Sequence, residues 1–327
     1  MFLMTLILST LISISANSWL AMWLGLEINL LSIIPLLNTP NNSYSSESSI
    51  KYFIIQAIAS SVILMTLILI MKSFFQEYLM NHLILIFNSS LMMKMGTAPF
   101  HFWFPEIIEG LNWMMCFIMM SWQKVAPMII LNYMMNMNFL SFIIIINIMI
   151  SSILGMNQTS LRKIMTYSSI SHLSWMLASL MVWEKLWLFY FSIYTIIIFN
   201  LMYILNKFNI FYFNQLNSFM NKNLKFYLMF IINFFSLGGL PPFMGFFPKW
   251  LIIQVLVSNN FFIQSYILIM FSLITLYFYI RLMISSLMFL SIESNSHLKF
   301  KSNYLFMVMN LINISSLVFL TLIFNYF

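Results

Sequence analysis

Aspartate is absent from this chain of 327 residues, cysteine occurs once, arginine twice, and only 6% of the residues are charged. The lone Cys116 excludes an internal disulfide and any thiolate-held cluster. The four histidines are scattered, and no pair has a helix-face metal-ligand spacing. Glycine stands at seven, with no glycine-rich phosphate loop. Redox or nucleotide chemistry within this chain is therefore not expected; a partner would hold any cofactor. Ordinary globular domains carry roughly 25% charged residues, so this chain cannot build a wetted surface. The membrane supplies the missing solvent. No signal-like or transit-like leader precedes the apolar run that begins at Phe2, so the first helix is expected to serve as its own insertion signal.

What is present is apolar. Hydrophobic residues make up 62% of the chain, with 31 Met and 35 Phe. Together with abundant Ile, Asn and Lys, this bias suits a very A+T-rich gene, as in an insect-like mitochondrial genome. It is an argument about origin and says nothing of mechanism.

A bilayer core of about 30 Å needs about 20 apolar residues per helix. Apolar runs between polar clusters predict an all-α, polytopic membrane protein of about eleven transmembrane helices. The spans lie near 2–15, 19–38, 50–71, 81–108, 112–134, 139–156, 160–182, 185–207, 224–257, 261–289 and 303–326. Polar connectors at 38–49 and 208–223 separate them, leaving one membrane domain over 1–327 and no room for a soluble one. An odd count puts the termini on opposite sides. Lys51, Arg162, Lys163, Lys207, Lys222, Lys225, Arg281, Lys299 and Lys301 fall on the N-terminal side, against Lys72 and Lys185 opposite. Basic residues favour the side from which insertion occurs. The N-terminus is thus expected in the mitochondrial matrix and the C-terminus in the intermembrane space. The net charge of +7 is a topology signal, and no aromatic-basic stripe suggests nucleic acid.

Three lysines remain, Lys94, Lys124 and Lys249, and each falls inside an apolar span. Glu27 does likewise, within Trp23-Leu24-Gly25-Leu26-Glu27-Ile28-Asn29. A charge at a helix centre costs about 2.5–3.5 kcal/mol on insertion scales, and such residues face the bundle interior and pair with one another. A buried ion pair that only fixes packing is the competing reading. The functional reading is a proton relay, because burial disfavours the charged form of any group and a neighbouring opposite charge restores it. His172, among hydroxyls in Ser168-Ser169-Ile170-Ser171-His172, can shuttle protons; a hydrogen-bonded core histidine fits as well. Glu184 beside Lys185, and Glu106 with Glu109, lie at span ends and read as solvated faces.

Two segments share the ungapped pattern G-x-x-P-F-x-x-x-F-P. One is Gly96-Thr97-Ala98-Pro99-Phe100-His101-Phe102-Trp103-Phe104-Pro105, in the fourth span. The other is Gly239-Leu240-Pro241-Pro242-Phe243-Met244-Gly245-Phe246-Phe247-Pro248, in the ninth. With Gly238 they hold nine of the chain's 15 glycines and prolines. Proline removes an amide donor and clashes with the preceding turn, so prolines six residues apart are expected to interrupt each helix. Lipid cannot satisfy the freed groups, so each break must be buried in protein or line water. Lys94 precedes the first break and Lys249 follows the second, and a charge beside a broken helix is a recurring transporter design. Broken spans five apart imply inverted five-helix repeats, 1–135 and 136–290, with a C-terminal helix in 291–327. Two coincidental kinks are the alternative.

At these residues the chain resembles the subunit 2 family of mitochondrial NADH dehydrogenase, the antiporter-like membrane-arm subunits of respiratory complex I. The likeness rests on residues 19–29, Lys51-Tyr52-Phe53 with Gln56-Ala57, residues 96–105, and Trp122-Gln123-Lys124-Val125-Ala126-Pro127. It continues through residues 157–163, 167–175 and 238–250. Little matches after Arg281, and the N-terminus looks short for the family. The resemblance implies a subunit that pumps protons while neighbours pass electrons from NADH to ubiquinone. NADH, FMN, iron–sulfur clusters and ubiquinone would then sit in partner subunits, with no cofactor or metal bound here. It further implies that Glu27 pairs with Lys94 and sets its protonation, that Lys124 is the central relay lysine, and that Lys249 passes protons onward. His172 would connect the two halves through ordered water. Expected partners are the other membrane-arm subunits, including neighbouring antiporter-like ones, and membrane lipids of the mitochondrial inner membrane. Two rivals stay open: a cation/proton antiporter subunit, and a non-pumping membrane scaffold whose buried charges only lock partners together.

Overall fold

The computed structural model describes residues 1–39, 42–72, 77–213, 215–216, 224–288 and 313. The expected span at 303–326, the segment 291–327 apart from Asn313, and part of the 208–223 connector lie outside the described residues, as do Lys222, Lys299 and Lys301. The described chain is almost wholly helical. In order the helices are α1 (Phe2–Ser15), α2 (Trp19–Leu37), α3 (Ser43–Lys72), α4 (Glu77–Met95), α5 (Trp103–Gly110), α6 (Trp113–Met120) and α7 (Trp122–Tyr133). They continue with α8 (Met137–Met156), α9 (Leu161–Val182), α10 (Glu184–Phe208), α11 (Leu224–Gly238), α12 (Phe246–Ser258) and α13 (Phe262–Met288).

Six helical stretches among the described residues are long and apolar enough to cross a membrane: Trp19–Leu37, Ser43–Lys72, Trp113–Tyr133, Met137–Met156, Glu184–Phe208 and Phe262–Ile284. The difference from the expected spans has physical reasons. The apolar helices Phe2–Ser15, Leu228–Gly238 and Phe246–Ser258 are shorter. The stretch expected to be a ninth span is two helices, α11 and α12, and the fourth is α4 and α5. Helix α9 is long, but its hydroxyl side chains dilute its apolar character.

Helix α3 starts seven residues before the expected span. Its first turn is organised by Asn42, whose side chain accepts the Tyr44 amide at 3.3 Å, as capping residues do. Ser45, Ser46, Ser48 and Ser49 each donate to the carbonyl three residues back. Hydroxyls satisfied in this way let a polar sequence continue a helix.

The chain forms two compact units, Met1–Ile146 and Asn147–Phe327. In the first, α1 packs along α2, α3 lies against α2, α4 and α5, and α7 lies against α1, α4 and α6. Helix association in lipid relies on close packing of small residues rather than on a hydrophobic drive. The buried Ser9, Thr10 and Ser13 of α1 supply that surface, and Ser13 lies so near α2 that a Cβ on Gly25 would sit 2.8 Å from it.

In the second unit α9 is central, touching α10, α12 and α13. Its residues from Ile164 to Met181 are all buried. Thr166, Ser168, Ser169, Ser171, Ser174 and Ser179 donate to carbonyls three residues back, so these six hydroxyls on the enclosed helix are satisfied within it.

Candidate functional site: buried lysines beside two helix stops

Both motif segments end the preceding helix in the same way. The amide of Gly96 bonds to the Met93 carbonyl and that of Thr97 to Met92; the amide of Gly239 bonds to Ser236 and that of Leu240 to Phe235. Gly96 has φ 71° and Gly239 φ 81°, so each is the left-handed glycine of a Schellman motif. These positions correspond one for one in the two segments.

The glycine occupies the cap, and Pro99, Pro241 and Pro242 lie in the non-helical stretch after it. Pro105 and Pro248 occupy the third position of α5 and α12. There the missing amide has no intrahelical partner to lose.

Lys94 lies in the last turn of α4 and is 7% exposed. Its carbonyl accepts the Gln56 amide at 3.2 Å. The residue borders a small polar cavity of about 20 Å³ lined also by Asn29, Tyr52, Gln56, Gln123 and Pro127. The Gln123 side chain ties this wall together, donating to Asn29 at 2.9 Å and accepting the Tyr52 hydroxyl at 3.4 Å. Pro127 in α7 supplies no amide for the Gln123 carbonyl four residues earlier. A polar cavity of this size accommodates about one water molecule.

Glu27 is half-buried on α2. The direct ion pair implied by the resemblance is not formed: among the described residues, ion pairs within 4.0 Å join Lys51 to Glu47 and to Glu106. Those groups are largely exposed.

Lys124, at 1% exposure, is the most enclosed of the three lysines. It stands in the first turn of α7 after the kink at Ser121, whose carbonyl accepts its amide at 3.1 Å. Its ammonium lies 5.4 Å from the centre of the Phe104 ring on α5, within cation–π range.

Lys249, on α12 and 7% exposed, folds back onto the end of α11. Its Nζ donates to the carbonyls of Leu237 at 3.1 Å and Gly238 at 3.0 Å. It also lies 5.9 Å from the Trp175 ring centre. Trp175 is three residues from His172 on α9, hence on the same face. The His172 Nδ1 is 2.7 Å from the Tyr190 hydroxyl, and the Tyr194 ring lies 5.1 Å away.

The first unit thus brings Glu27, Lys94 and Lys124 to α2, α4 and α7, and the second brings His172 and Lys249 to α9 and α12. Asn29, Tyr52, Gln56, Gln123 and Trp175, which lie in the stretches that carry the resemblance but are given no role there, complete the surroundings with Tyr190 and Tyr194. Being uncharged, they raise no alarm inside an apolar run. His101, in the first helix stop, is also buried. No group of three or more His, Cys, Asp or Glu among the described residues could hold a metal.

Residues 16–276 match the transmembrane family described as NADH:quinone oxidoreductase/Mrp antiporter. Among similar proteins, NADH-ubiquinone oxidoreductase chain 2 of Anopheles gambiae is 44% identical, covering 99% of this chain and 97% of its own. The chain 2 protein of Aedes aegypti is 47% identical over the same shares. Among solved structures, a chain of respiratory complex I from Thermus thermophilus with bound aureothin superposes with a TM-score of 0.85 at 19% identity. That superposition covers 96% of this chain and 76% of that one, and so shares the fold. Extensive identity over nearly the whole length, with the family match, leads to one conclusion: the chain belongs to the NADH:quinone oxidoreductase/Mrp antiporter transmembrane family.

Proposed function

We propose that this chain is a proton-translocating membrane-arm subunit of NADH:ubiquinone oxidoreductase. It would reside in the mitochondrial inner membrane as a multi-pass protein. The observation that carries the reading is the placement of Lys94 and Lys249, each enclosed in protein and each at the carboxyl end of a helix stopped by a matched glycine. A helix carboxyl end carries about half an elementary negative charge, which favours a cation there. An ammonium held by fixed dipoles away from water can respond to the movement of another charge, which proton translocation requires.

Glu27, Lys94, Lys124, His172 and Lys249 are the groups assigned to proton transfer. In this reading α4 with α5, and α11 with α12, are halves of two broken crossings, interrupted around Gly96, Pro99 and Pro105 and around Gly239, Pro241, Pro242 and Pro248. The architecture is then about eleven crossings, with inverted five-helix repeats at 1–135 and 136–290 and a C-terminal helix in 291–327. The N-terminus faces the matrix, as the distribution of loop lysines and arginines favours. Electron carriers belong to partner subunits, and other membrane-arm subunits flank this one.

A second reading, a cation/proton antiporter subunit, is favoured by the family description, which spans Mrp antiporters. Native electrophoresis of source membranes, with in-gel NADH dehydrogenase staining and mass spectrometry, separates the two. Peptides of this chain in a very large NADH-active band support the oxidoreductase subunit. Their confinement to a small inactive band, with ion flux that does not depend on NADH, would replace it with the antiporter.

A further inference from the structure

A groove in the second unit is lined by none of the buried lysines. It has a volume of about 300 Å³ and lies where the end of α8, the start of α9 and the carboxyl-terminal part of α13 meet. Its polar wall includes Gln158, Thr159, Tyr212 and Arg281; its apolar wall includes Phe278 and Leu282. The floor is built. Residues 159–161 pair with 211–213 through Leu161 to Phe211 at 3.0 Å and Phe213 to Thr159 at 3.4 Å, and Ser160 bridges Tyr212. Arg281 donates to the Met156 carbonyl at 3.1 Å, which fixes its guanidinium at the rim. Arg162 stacks on Phe211 at 4.4 Å, placing a second cation on the same pair of segments.

Along α13, the side chains of Leu273, Tyr277 and Ile284 are 57%, 59% and 49% exposed, and Arg281 is exposed with them. Spacings of three and four residues put these four on one stripe. An exposed apolar stripe leading to a cation at the rim of a polar groove has the chemistry of an anionic phospholipid: acyl carbon along Leu273 and Tyr277, phosphate at Arg281. Guanidinium suits phosphate because it is always charged and presents its donors in a planar fork. Basic pockets between helices on the matrix side are the form such sites take. We propose that this groove binds the headgroup phosphate of an anionic phospholipid, with Arg281 as the cation at its rim.

The proposal rests on the chain being a membrane subunit of the complex. Its test therefore starts from the assembled, NADH-active complex of a genetically tractable relative. The complex is exposed to vesicles carrying a photoactivatable cardiolipin, or a photoactivatable phosphatidylcholine of matched acyl chains, and labelled peptides are read by mass spectrometry. The expected result is labelling of the peptides aligned with 155–164 and 273–284 by cardiolipin, several-fold above phosphatidylcholine. Arg281→Gln should cut the cardiolipin signal by about five-fold, the weight of one basic residue at an anionic surface. Equal labelling by the two lipids overturns the proposal, and so does cardiolipin labelling that misses both peptides. The two-lipid comparison uses the unaltered complex, so it stands even where the variant fails to assemble. Absence of the chain from the NADH-active complex would instead be a failure of the functional reading, and is scored before any lipid is added.

Discussion

The two helix stops solve one problem by different means. In the first unit, Lys94 belongs to the helix it terminates, two residues before the glycine. In the second, the lysine comes ten residues after the glycine and reaches back to the helix end, donating from its ammonium to the Leu237 and Gly238 carbonyls. The glycines, the Schellman bonds and the prolines in the next helix correspond in the two segments, whereas the lysines do not. What the segments share is therefore a stopped helix end, onto which Lys249 folds its ammonium and in whose last turn Lys94 sits. The difference has a consequence. Lys249 serves as part of the helix cap, while Lys94 leaves its cap to glycine and backbone.

Substituting the two lysines should separate these roles most sharply. Lys249→Met should lower both proton translocation and the amount of assembled complex. Two carbonyls lose a charged donor, and an unsatisfied buried polar group costs about 1–3 kcal/mol. Lys94→Met should lower translocation and leave assembly near normal. Protons per NADH in sealed vesicles, beside native-gel band intensity, read the two effects; equal assembly defects would erase the distinction.

The glycines come next. A side chain in the left-handed region costs about 1–2 kcal/mol, so Gly96→Ala and Gly239→Ala should both weaken the complex. Gly239→Ala should do more, because its Cβ would stand 3.0 Å from the Lys249 Nζ, against 3.2 Å from Phe104 and Trp103 for Gly96. Thermal inactivation of NADH-driven pumping measures the pair, and an equal or reversed order would contradict the role given to Lys249.

A smaller effect is expected at Gln56. Gln56→Leu removes one hydrogen bond to the Lys94 carbonyl, worth about 0.5–1.5 kcal/mol, and should lower thermal stability modestly while assembly persists. The smallest is at the surface. Glu106→Gln breaks the exposed pair with Lys51 and should change neither assembly nor translocation, because exposed ion pairs are screened and entropically costly to hold.

Sequence and structure agree best where a single physical signal acts alone. Apolar runs at 139–156 and 160–182 fall on α8 and α9 because polar loop residues bound them. The charges of Lys94, Lys124 and Lys249 stood out because charge inside an apolar run is costly, and all three are enclosed. Less was legible where neutral polar groups decide. The serines before residue 50 read as loop, yet their hydroxyls close on the helix backbone. Glycines and prolines both read as helix-break residues, but the left-handed conformation of Gly96 and Gly239 was not legible. Gln123 and Tyr190 carry no charge to flag them. Their importance lies in what they touch across tens of residues, as in Gln123 to Asn29 and His172 to Tyr190, and one sequence does not display such contacts.

The central claim is that the enclosed lysines carry protons rather than merely pin helices. The most direct test is the number of protons translocated per NADH oxidised by complex I carrying Lys124→Met, made in a tractable relative at the aligned residue. Lys124 is the most enclosed of the three and is not a helix cap, so its loss should report on transfer with little effect on assembly. Fewer protons per NADH, or stalled NADH oxidation, is expected in a complex that still assembles. An unchanged ratio at full NADH turnover would contradict it and leave the lysines as structural elements of a scaffold.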